Sequence, residues 1–230
     1  PTVVVVHGGP TSAAPYGRTL RVTGEGWLPG QGYAVFLPNY RGSTGYGDEF
    51  LRGLIGREND VEVADVLSGV DEIVRLGFAD PARLAVGGWS NGGYVTGCVI
   101  GKTDRFKAAI LGAGVFDMAM QWMLEDTPGH VINYLEGQPW EKPEAYRAAS
   151  PLYAVDRMKT PVLIHMGAED PRVPVEHARA LFRALSVYRD VPVELVEYPK
   201  AGHGLSKMAH VKAKLAWDVA WLKRWVGGGS

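Results

Sequence analysis

The feature that most constrains the fold is a repeated alternation of short, continuous apolar runs with longer segments of helical periodicity. Runs that are apolar at every position are typical of parallel strands buried on both faces of a sheet. Residues 60–76 and 176–188 place apolar side chains at helical spacing, and a third helix is predicted for about 207–226. The alternation predicts one α/β domain with a mostly parallel, doubly wound sheet. The six predicted strands are residues 3–6, 33–37, 83–87, 108–111, 162–165 and 193–197.

Residues 1–226 form the predicted domain, and the Gly-Gly-Gly-Ser sequence at 227–230 is expected to be a linker-like tail. Within the domain, residues 116–161 contain no clear strand but many Met and aromatic side chains. This segment predicts a small helical cover with its own core, and it is also expected to form a wall of the substrate pocket. Both ends suggest a trimmed domain. The absence of a signal peptide leaves localisation open and favours the cytoplasm.

Composition excludes several classes of function. The 24 basic and 25 acidic side chains give a net charge of -1, so the excess of Lys and Arg that binds nucleic acid is missing. Apolar stretches such as 108–116 are far shorter than a membrane span. The single cysteine, Cys98, excludes an internal disulfide and a Cys-rich metal site. No phosphate loop or dinucleotide fingerprint is present, so we expect neither a metal nor a cofactor.

The most specific motif is a Gly-x-Ser-x-Gly sequence at residues 88–92, directly after a predicted strand and before a predicted helix. Such a turn is so tight that Gly88 and Gly92 have no room for a Cβ, and it holds the Ser90 hydroxyl above the sheet. The helix that follows directs its N–H groups toward developing negative charge. Ser90 is therefore the predicted nucleophile.

A serine nucleophile needs a histidine base that is oriented by a carboxylate. His203 lies in a Gly-His-Gly turn just past the strand 193–197, where a base should emerge. Asp170 follows the strand 162–165 and is the favoured acid, while its neighbour Glu169 remains an alternative. The order Ser, acid, His is the one expected for this kind of fold.

The other histidines have simpler interpretations. His165 lies inside a strand and is expected to be buried and hydrogen bonded. His130 and His177 lie among polar residues and are predicted on the surface, and His210 is expected to be solvated on the last helix.

An acyl-transfer site also needs donors for the oxyanion. One predicted donor is the backbone N–H of Asn91, the residue after the nucleophile. The second should come from the loop at residues 7–10, His-Gly-Gly-Pro, after the first strand. Glycines there allow the main chain to approach a substrate oxygen.

Five motifs together resemble the catalytic domain of the prolyl oligopeptidase family of serine peptidases, which has the α/β-hydrolase fold. The likeness extends over residues 1–226 and is greatest to the branch of acylaminoacyl peptidases and dipeptidyl peptidases. It implies a Ser90–Asp170–His203 triad that acts through an acyl-enzyme. The resemblance also implies that the N–H groups of Gly9 and Asn91 form the oxyanion site. The motifs lie at residues 7–10, 38–47, 88–94, 170–174 and 202–204.

The resemblance also assigns substrate-binding residues. Val115, Met118 and Val173 match positions that build the pocket for the P1 side chain, and Trp122 is nearby. These side chains predict an apolar pocket of moderate size. Arg172 matches an arginine that holds a substrate carbonyl in some members, although a structural role is an equal alternative.

Two departures from the family bear on substrate choice. Family peptidases carry a β-propeller before the catalytic domain, so the parent protein is expected to contain one. The α/β-hydrolase sheet normally begins with two further strands, which this sequence lacks. The edge strand left uncovered favours self-association, so a homo-oligomer is a further expectation.

Three functions follow from these residues. The first is a serine peptidase acting on short peptides with an apolar P1 residue. The second is a carboxylesterase on the same scaffold, since ester hydrolysis uses the same triad. The third is an inactive excised module. The substrate is expected to be a small peptide or ester, with no nucleic acid or membrane as a partner.

Overall fold

The computed structural model describes residues 1–14 and 22–227 and contains one parallel sheet of six strands. The strand order is β2-β1-β3-β4-β5-β6, and every pair of neighbours is parallel. All six predicted strands are confirmed, with ends that differ by a few residues. Of the predicted tail, residues 228–230 lie outside the described residues. The strands are β1 Thr2–Val6, β2 Ala34–Phe36, β3 Leu84–Trp89, β4 Ala108–Gly112, β5 Val162–Gly167 and β6 Val193–Tyr198.

Helices follow most strands and cover both faces of the sheet. Short 3₁₀ turns occur at Leu28–Gln31 and Pro151–Ala154. No helix in the described part of the chain is long and apolar enough to cross a bilayer. The α-helices are α1 Asp48–Arg52, α2 Val61–Arg75, α3 Asn91–Ile100, α4 Met118–Leu124, α5 Gly129–Leu135, α6 Pro143–Ala148, α7 Glu176–Arg183 and α8 Met208–Trp225.

Alternate side chains of each strand enter two separate cores. Val4 and Val6 of β1 join the larger core, under α2, α3 and α7. Val3 and Val5 point to the opposite face and pack with Trp221 of α8. Because both faces are covered, the strands are apolar at successive positions, which is the pattern that predicted them.

The cover between β4 and β5 is helical, as the sequence predicts, and consists of α4, α5, α6 and a 3₁₀ turn. Its buried side chains Val131, Leu135 and Tyr146 belong to the same core as the strands. The expectation that the cover has a core of its own is therefore wrong. The cover is a continuation of the main core, and this fixes its position over the sheet.

The predicted helix at 176–188 changes its winding halfway. Residues Glu176–Arg183 are α-helical, but Ala184–Arg189 form a wider π-helix. Leu185 remains buried, whereas Tyr188 is 74% exposed instead of joining the apolar stripe. The 3.6-residue period that predicted Tyr188 as a core residue does not apply within a π-helical segment.

At one edge of the sheet, β2 pairs with β1 alone among the described strands. Its side chains are half-buried or exposed. One side of β2 is therefore not covered by another described strand.

Candidate active site

The carboxyl ends of β1 and β3 lie side by side in the sheet. From β1 the chain crosses to β2 on one side, and it then returns to β3 on the other side. Ligands of open α/β sheets bind where the strand order reverses in this way. Residues 7–10 follow β1 and Ser90 follows β3, so both predicted motifs lie at this point.

Ser90 occupies a strained turn between β3 and α3. Its backbone has φ 61° and ψ -124°, a conformation that costs about 1–3 kcal/mol in a residue other than glycine. A Cβ on Gly88 would lie 2.5 Å from backbone atoms of Val6 and Gly92. A Cβ on Gly92 would overlap the Val6 carbonyl oxygen. The two glycines are therefore required by the close approach of β1, and the turn holds Ser90 at the end of the sheet.

Ser90, His203 and Asp170 form a continuous hydrogen-bonded chain. His203 Nε2 lies 2.8 Å from Ser90 Oγ, and His203 Nδ1 lies 2.8 Å from Asp170 Oδ2. Because an ionised carboxylate can only accept, the Nδ1 proton is donated to Asp170 and Nε2 is left to accept from the Ser90 hydroxyl. The His203 side chain is 29% exposed, so a substrate can reach it.

The loop after β5 determines which carboxylate reaches His203. The Asp170 side chain is fully buried, and its Oδ1 accepts hydrogen bonds from the N–H groups of Arg172 at 2.9 Å and Val173 at 3.0 Å. Its other oxygen, Oδ2, is left for His203. Glu169 is exposed, and its backbone N–H donates to the Ala201 carbonyl. The geometry therefore places Asp170, and not Glu169, beside the histidine.

The backbone N–H groups of Gly9 and Asn91 have no acceptor among the described residues. Both residues line a cavity that reaches Ser90. Gly9 has φ 132°, a left-handed conformation that favours glycine, and a Cβ there would lie 2.7 Å from the Thr11 nitrogen. Two free donors beside a nucleophile are what an oxyanion site requires.

Tyr40 connects the two segments that carry these donors. Its hydroxyl donates to the His7 carbonyl oxygen at 2.9 Å and accepts from the Asn91 side-chain amide at 3.0 Å. The rings of His7 and Tyr40 are stacked, with centroids 4.4 Å apart. Burial lowers the pKa of His7, although the hydrogen bond to the Gly8 carbonyl oxygen opposes this shift. These contacts give Tyr40 a structural role, because it holds the two segments together.

Ser90 opens into a cavity of about 150 Å³ on the side of the two free donors. Of the predicted substrate-binding residues, Val115, Arg172 and Val173 line it. Met118 is buried in the core, and Trp122 packs edge-to-face against Trp140. Neither is among the described residues that line the cavity, which are Gly9, Ser90, Asn91, Val115, Gln121, Glu125, Thr127, His130, Arg172, Val173 and His203.

Four polar residues of this lining are missed by the sequence analysis: Gln121, Glu125, Thr127 and His130. The lining is therefore mixed, with the apolar side chains of Val115 and Val173 beside these polar groups. Gln121 and Glu125 are four residues apart, which places them on one side of a helix. That spacing, within a segment otherwise rich in Met and Trp, was the available signal.

A larger cavity of about 390 Å³ lies on the other side of Ser90 and His203. Its lining includes the apolar side chains of Val22, Leu37 and Trp89. Ser90 and His203 therefore line both cavities.

Three of the predictions for the remaining histidines, those for His130, His177 and His210, are wrong. His177 is fully buried. Its Nδ1 accepts a hydrogen bond from the Phe116 N–H at 3.2 Å. Burial lowers the pKa of His177 to about 4. His130 is half-buried and lines the smaller cavity instead of lying free on the surface. His165 is buried and hydrogen bonded, as predicted.

His210 is half-buried rather than solvated, and its ring lies 5.4 Å from that of Tyr198. Both the ring contact and the position at the start of α8 bring it against the end of β6.

A parallel sheet with a nucleophile at a strand-to-helix turn and an Asp–His pair on the following loops defines an α/β hydrolase. The profile of the prolyl oligopeptidase family matches residues 23–229. The chain belongs to this family of serine peptidases, as its motifs predict.

Similarity to individual proteins agrees with this family assignment. The chain is 34% identical over 218 residues to an acylamino-acid-releasing enzyme of Arabidopsis thaliana, covering 90% of this chain and 28% of that protein. It is 30% identical over 242 residues to dipeptidyl aminopeptidase BIII of Pseudoxanthomonas mexicana, covering 99% of this chain and 34% of that protein. The chain thus spans about a third of the length of these relatives.

Solved structures show the same fold. A puromycin-hydrolyzing peptidase of Mycobacterium tuberculosis superposes with a TM-score of 0.91 at 31% identity, over 99% of this chain and 34% of that one. An acylaminoacyl peptidase of Pyrococcus horikoshii superposes with a TM-score of 0.90 at 26% identity, over 98% of this chain and 37% of that one.

Proposed function

We propose that this chain is the catalytic part of a serine peptidase that cleaves short peptides through an acyl-enzyme on Ser90. The observation that carries the proposal is the chain of hydrogen bonds from Ser90 through His203 to Asp170, with 2.8 Å at each link. A serine hydroxyl is a weak nucleophile, and an adjacent base oriented by a carboxylate activates it. Membership of a family of serine peptidases supports the same reaction.

In the first half of the reaction, Ser90 Oγ attacks the scissile carbonyl while its proton passes to His203 Nε2. Asp170 stabilises the imidazolium and keeps Nδ1 protonated throughout. The oxyanion that develops accepts hydrogen bonds from the Gly9 and Asn91 N–H groups. Loss of one such donor lowers the rate by about 10²–10³-fold.

In the second half, the imidazolium gives its proton to the leaving amine, and the acyl group stays on Ser90. Water then attacks the ester with His203 as the base, and the acid product leaves. The cavity bounded by Gly9 and Asn91 receives the acyl part of the substrate. Val115 and Val173 line this cavity and support contact with the apolar part of the P1 side chain next to the carbonyl.

The experiment compares labelling and turnover by the 230-residue chain. A fluorophosphonate probe should label the wild type but not Ser90→Ala, and blocked dipeptide p-nitroanilides should be hydrolysed by the wild type alone. Ser68→Ala is the matched control, since Ser68 is exposed on α2 and bonds only to the Asp65 carbonyl.

Other outcomes contradict the proposal in different ways. Turnover of p-nitrophenyl esters without any turnover of amides would make the chain an esterase. A folded chain that the probe does not label would be an inactive module. Labelling that persists in Ser90→Ala would place the nucleophile elsewhere.

A further inference from the structure

Gln121 and Glu125 form a buried polar pair in the smaller cavity. They are 2% and 7% exposed, and the Gln121 amide nitrogen donates to Glu125 Oε2 at 2.8 Å. Asp117 caps the start of α4 by accepting from the Met120 N–H at 2.9 Å, and Glu125 directly follows the helix. The pair therefore lies on an ordered helix end and not on a free loop.

Two hydrogen bonds fix this helix end to the loop that carries the acid of the triad. The Gln121 amide nitrogen also donates to the Arg172 carbonyl oxygen at 2.7 Å, and the Asp126 N–H donates to the Pro171 carbonyl oxygen at 3.0 Å. Glu125 is thus held in a fixed position relative to Asp170 and hence to the triad.

Three buried side-chain atoms of the lining have no hydrogen-bond partner among the described residues. They are Glu125 Oε1, Gln121 Oε1 and His130 Nε2. The orientation of the Gln121 amide is set by its contacts, because both partners of its nitrogen are oxygen acceptors. An exchange of its nitrogen and oxygen would bring like partial charges together, so its oxygen remains free.

Unsatisfied acceptors in a buried site are unfavourable unless a ligand satisfies them. The Arg172 guanidinium also lines the cavity but does not hydrogen bond to these acceptors. It is paired instead with Asp126, and Arg172 Nε lies 2.5 Å from Asp126 Oδ1. Burial raises the pKa of Glu125, although the Gln121 hydrogen bond and the Arg172 charge oppose this shift. A cation brought by a ligand would stabilise the ionised carboxylate.

We propose that this cavity selects substrates with a cationic nitrogen on the acyl side of the scissile bond, and that Glu125 and Gln121 bind it. The inference rests on the proposed function, since it takes Ser90 as the acyl acceptor. Val115 and Val173 contact the apolar stem, while Glu125 Oε1 and Gln121 Oε1 accept from the N–H groups. The nitrogen can belong to a basic P1 side chain or to the free α-amine of an N-terminal P1 residue.

The test compares three p-nitroanilides that share a leaving group. The first is N-acetyl-norleucine, which has neither cation; the second is N-acetyl-lysine, which adds the side-chain ammonium; the third is norleucine with a free α-amine. We expect kcat/KM of one cationic substrate to exceed that of N-acetyl-norleucine by about 10- to 100-fold, the range for a hydrogen bond to a charged group. The cationic substrate with the higher kcat/KM shows whether the nitrogen belongs to the side chain or to the α-amine.

Glu125→Gln should reduce this ratio at least about tenfold. Glu49→Gln is the matched control, because Glu49 is an exposed residue of α1, and the ratio should not change there. As a second measurement that does not depend on the variant, n-butylammonium should inhibit hydrolysis of N-acetyl-norleucine p-nitroanilide competitively, and n-butanol should not.

The inference and the proposed function fail in distinguishable ways. Equal turnover of all three substrates, with no inhibition by n-butylammonium, overturns the inference and leaves the peptidase intact. Faster turnover of N-acetyl-norleucine than of both cationic substrates also overturns it. An absence of turnover and of fluorophosphonate labelling overturns the proposed function, and the inference with it.

Discussion

The indole N–H of Trp89 donates a hydrogen bond to the backbone carbonyl oxygen of His203 at 2.9 Å. Trp89 precedes Ser90, the proposed nucleophile, and thereby holds the loop that carries His203, the proposed base. The indole is buried against β4, where a Cβ on Gly112 would collide with its ring. Ser90 and His203 are thus connected twice, once through their side chains and once through Trp89.

Trp89→Phe should lower kcat for peptide p-nitroanilides by about 5- to 10-fold, the effect of losing one hydrogen bond of about 1 kcal/mol. The phenyl ring keeps most of the packing but has no N–H, so His203 is held less firmly. KM should change less than kcat, because the lost hydrogen bond positions His203, whereas the phenyl ring still covers most of the cavity surface that Trp89 provides. Steady-state kinetics measure the changes in kcat and KM separately.

Trp217→Phe is the control for this change, since Trp217 is 44% exposed on α8. A purely structural role of Trp89 would instead lower the unfolding midpoint and leave kcat of the folded fraction unchanged. Equal kcat in Trp89→Phe and the wild type would contradict a positioning role.

Asp170→Asn should lower kcat by about 10⁴-fold, because the amide cannot hold the His203 tautomer that accepts the Ser90 proton. Glu169→Gln is the matched variant, one residue away and exposed. It should keep nearly full activity. A loss in Glu169→Gln that equals the loss in Asp170→Asn would reopen the choice between the two acids. Rates of labelling by fluorophosphonate provide an independent measure.

The parts of the site that local patterns encode could be predicted from the sequence. The turn at Ser90 is one, because the steric demand for glycine at positions 88 and 92 leaves a readable motif. Asp170 and His203 are others, since side chains of the loops after β5 and β6 must meet at the same edge of a parallel sheet.

The remaining features depend on packing between distant segments. His177 has polar neighbours in sequence, yet the cover buries it. Glu125 reaches the cavity only because α4 is fixed to the loop at 170–173. Tyr188 leaves the core because the winding of its helix changes. Hydrophobic periodicity carries no information about any of these contacts.

Stability should depend on pH through two buried carboxyls, Glu58 and Glu62. Burial, reinforced by the Glu62 charge, raises the pKa of Glu58 to about 8. Burial likewise raises the pKa of Glu62 to about 7, although N–H groups of Asn59 and Asp60 donate to it. A raised folded-state pKa gives stability that is fully present below the unfolded-state pKa and is lost as the pH rises through the folded-state value.

Glu58→Gln mimics the protonated carboxyl and removes this loss. The free energy of unfolding of the variant minus that of the wild type should therefore increase by about 1–3 kcal/mol from pH 5 to pH 9. Urea titrations across this range measure the difference, with Glu49→Gln as an exposed control. A difference that does not change with pH would mean that Glu58 ionises normally.

A buried ion pair within α8 is hydrogen bonded to His165 of the sheet. Lys214 Nζ lies 2.6 Å from Asp218 Oδ2, and His165 Nε2 of β5 lies 3.0 Å from Asp218 Oδ1. Burial alone would raise the pKa of Asp218, but the Lys214 ammonium and His165 hold it below its usual value. Tyr198 of β6 completes the group through His165 Nδ1 at 2.9 Å.

Asp218→Ala should lower the free energy of unfolding by about 3–5 kcal/mol, because it leaves the Lys214 charge buried without its partner. The double variant Lys214→Met with Asp218→Leu removes both charges and should recover most of the loss. Glu194→Ala, which breaks only the exposed pair with Arg224, should change stability by less than about 1 kcal/mol. Denaturant titrations of the four proteins compare these values, and a small loss in Asp218→Ala alone would show that Lys214 finds water or another acceptor.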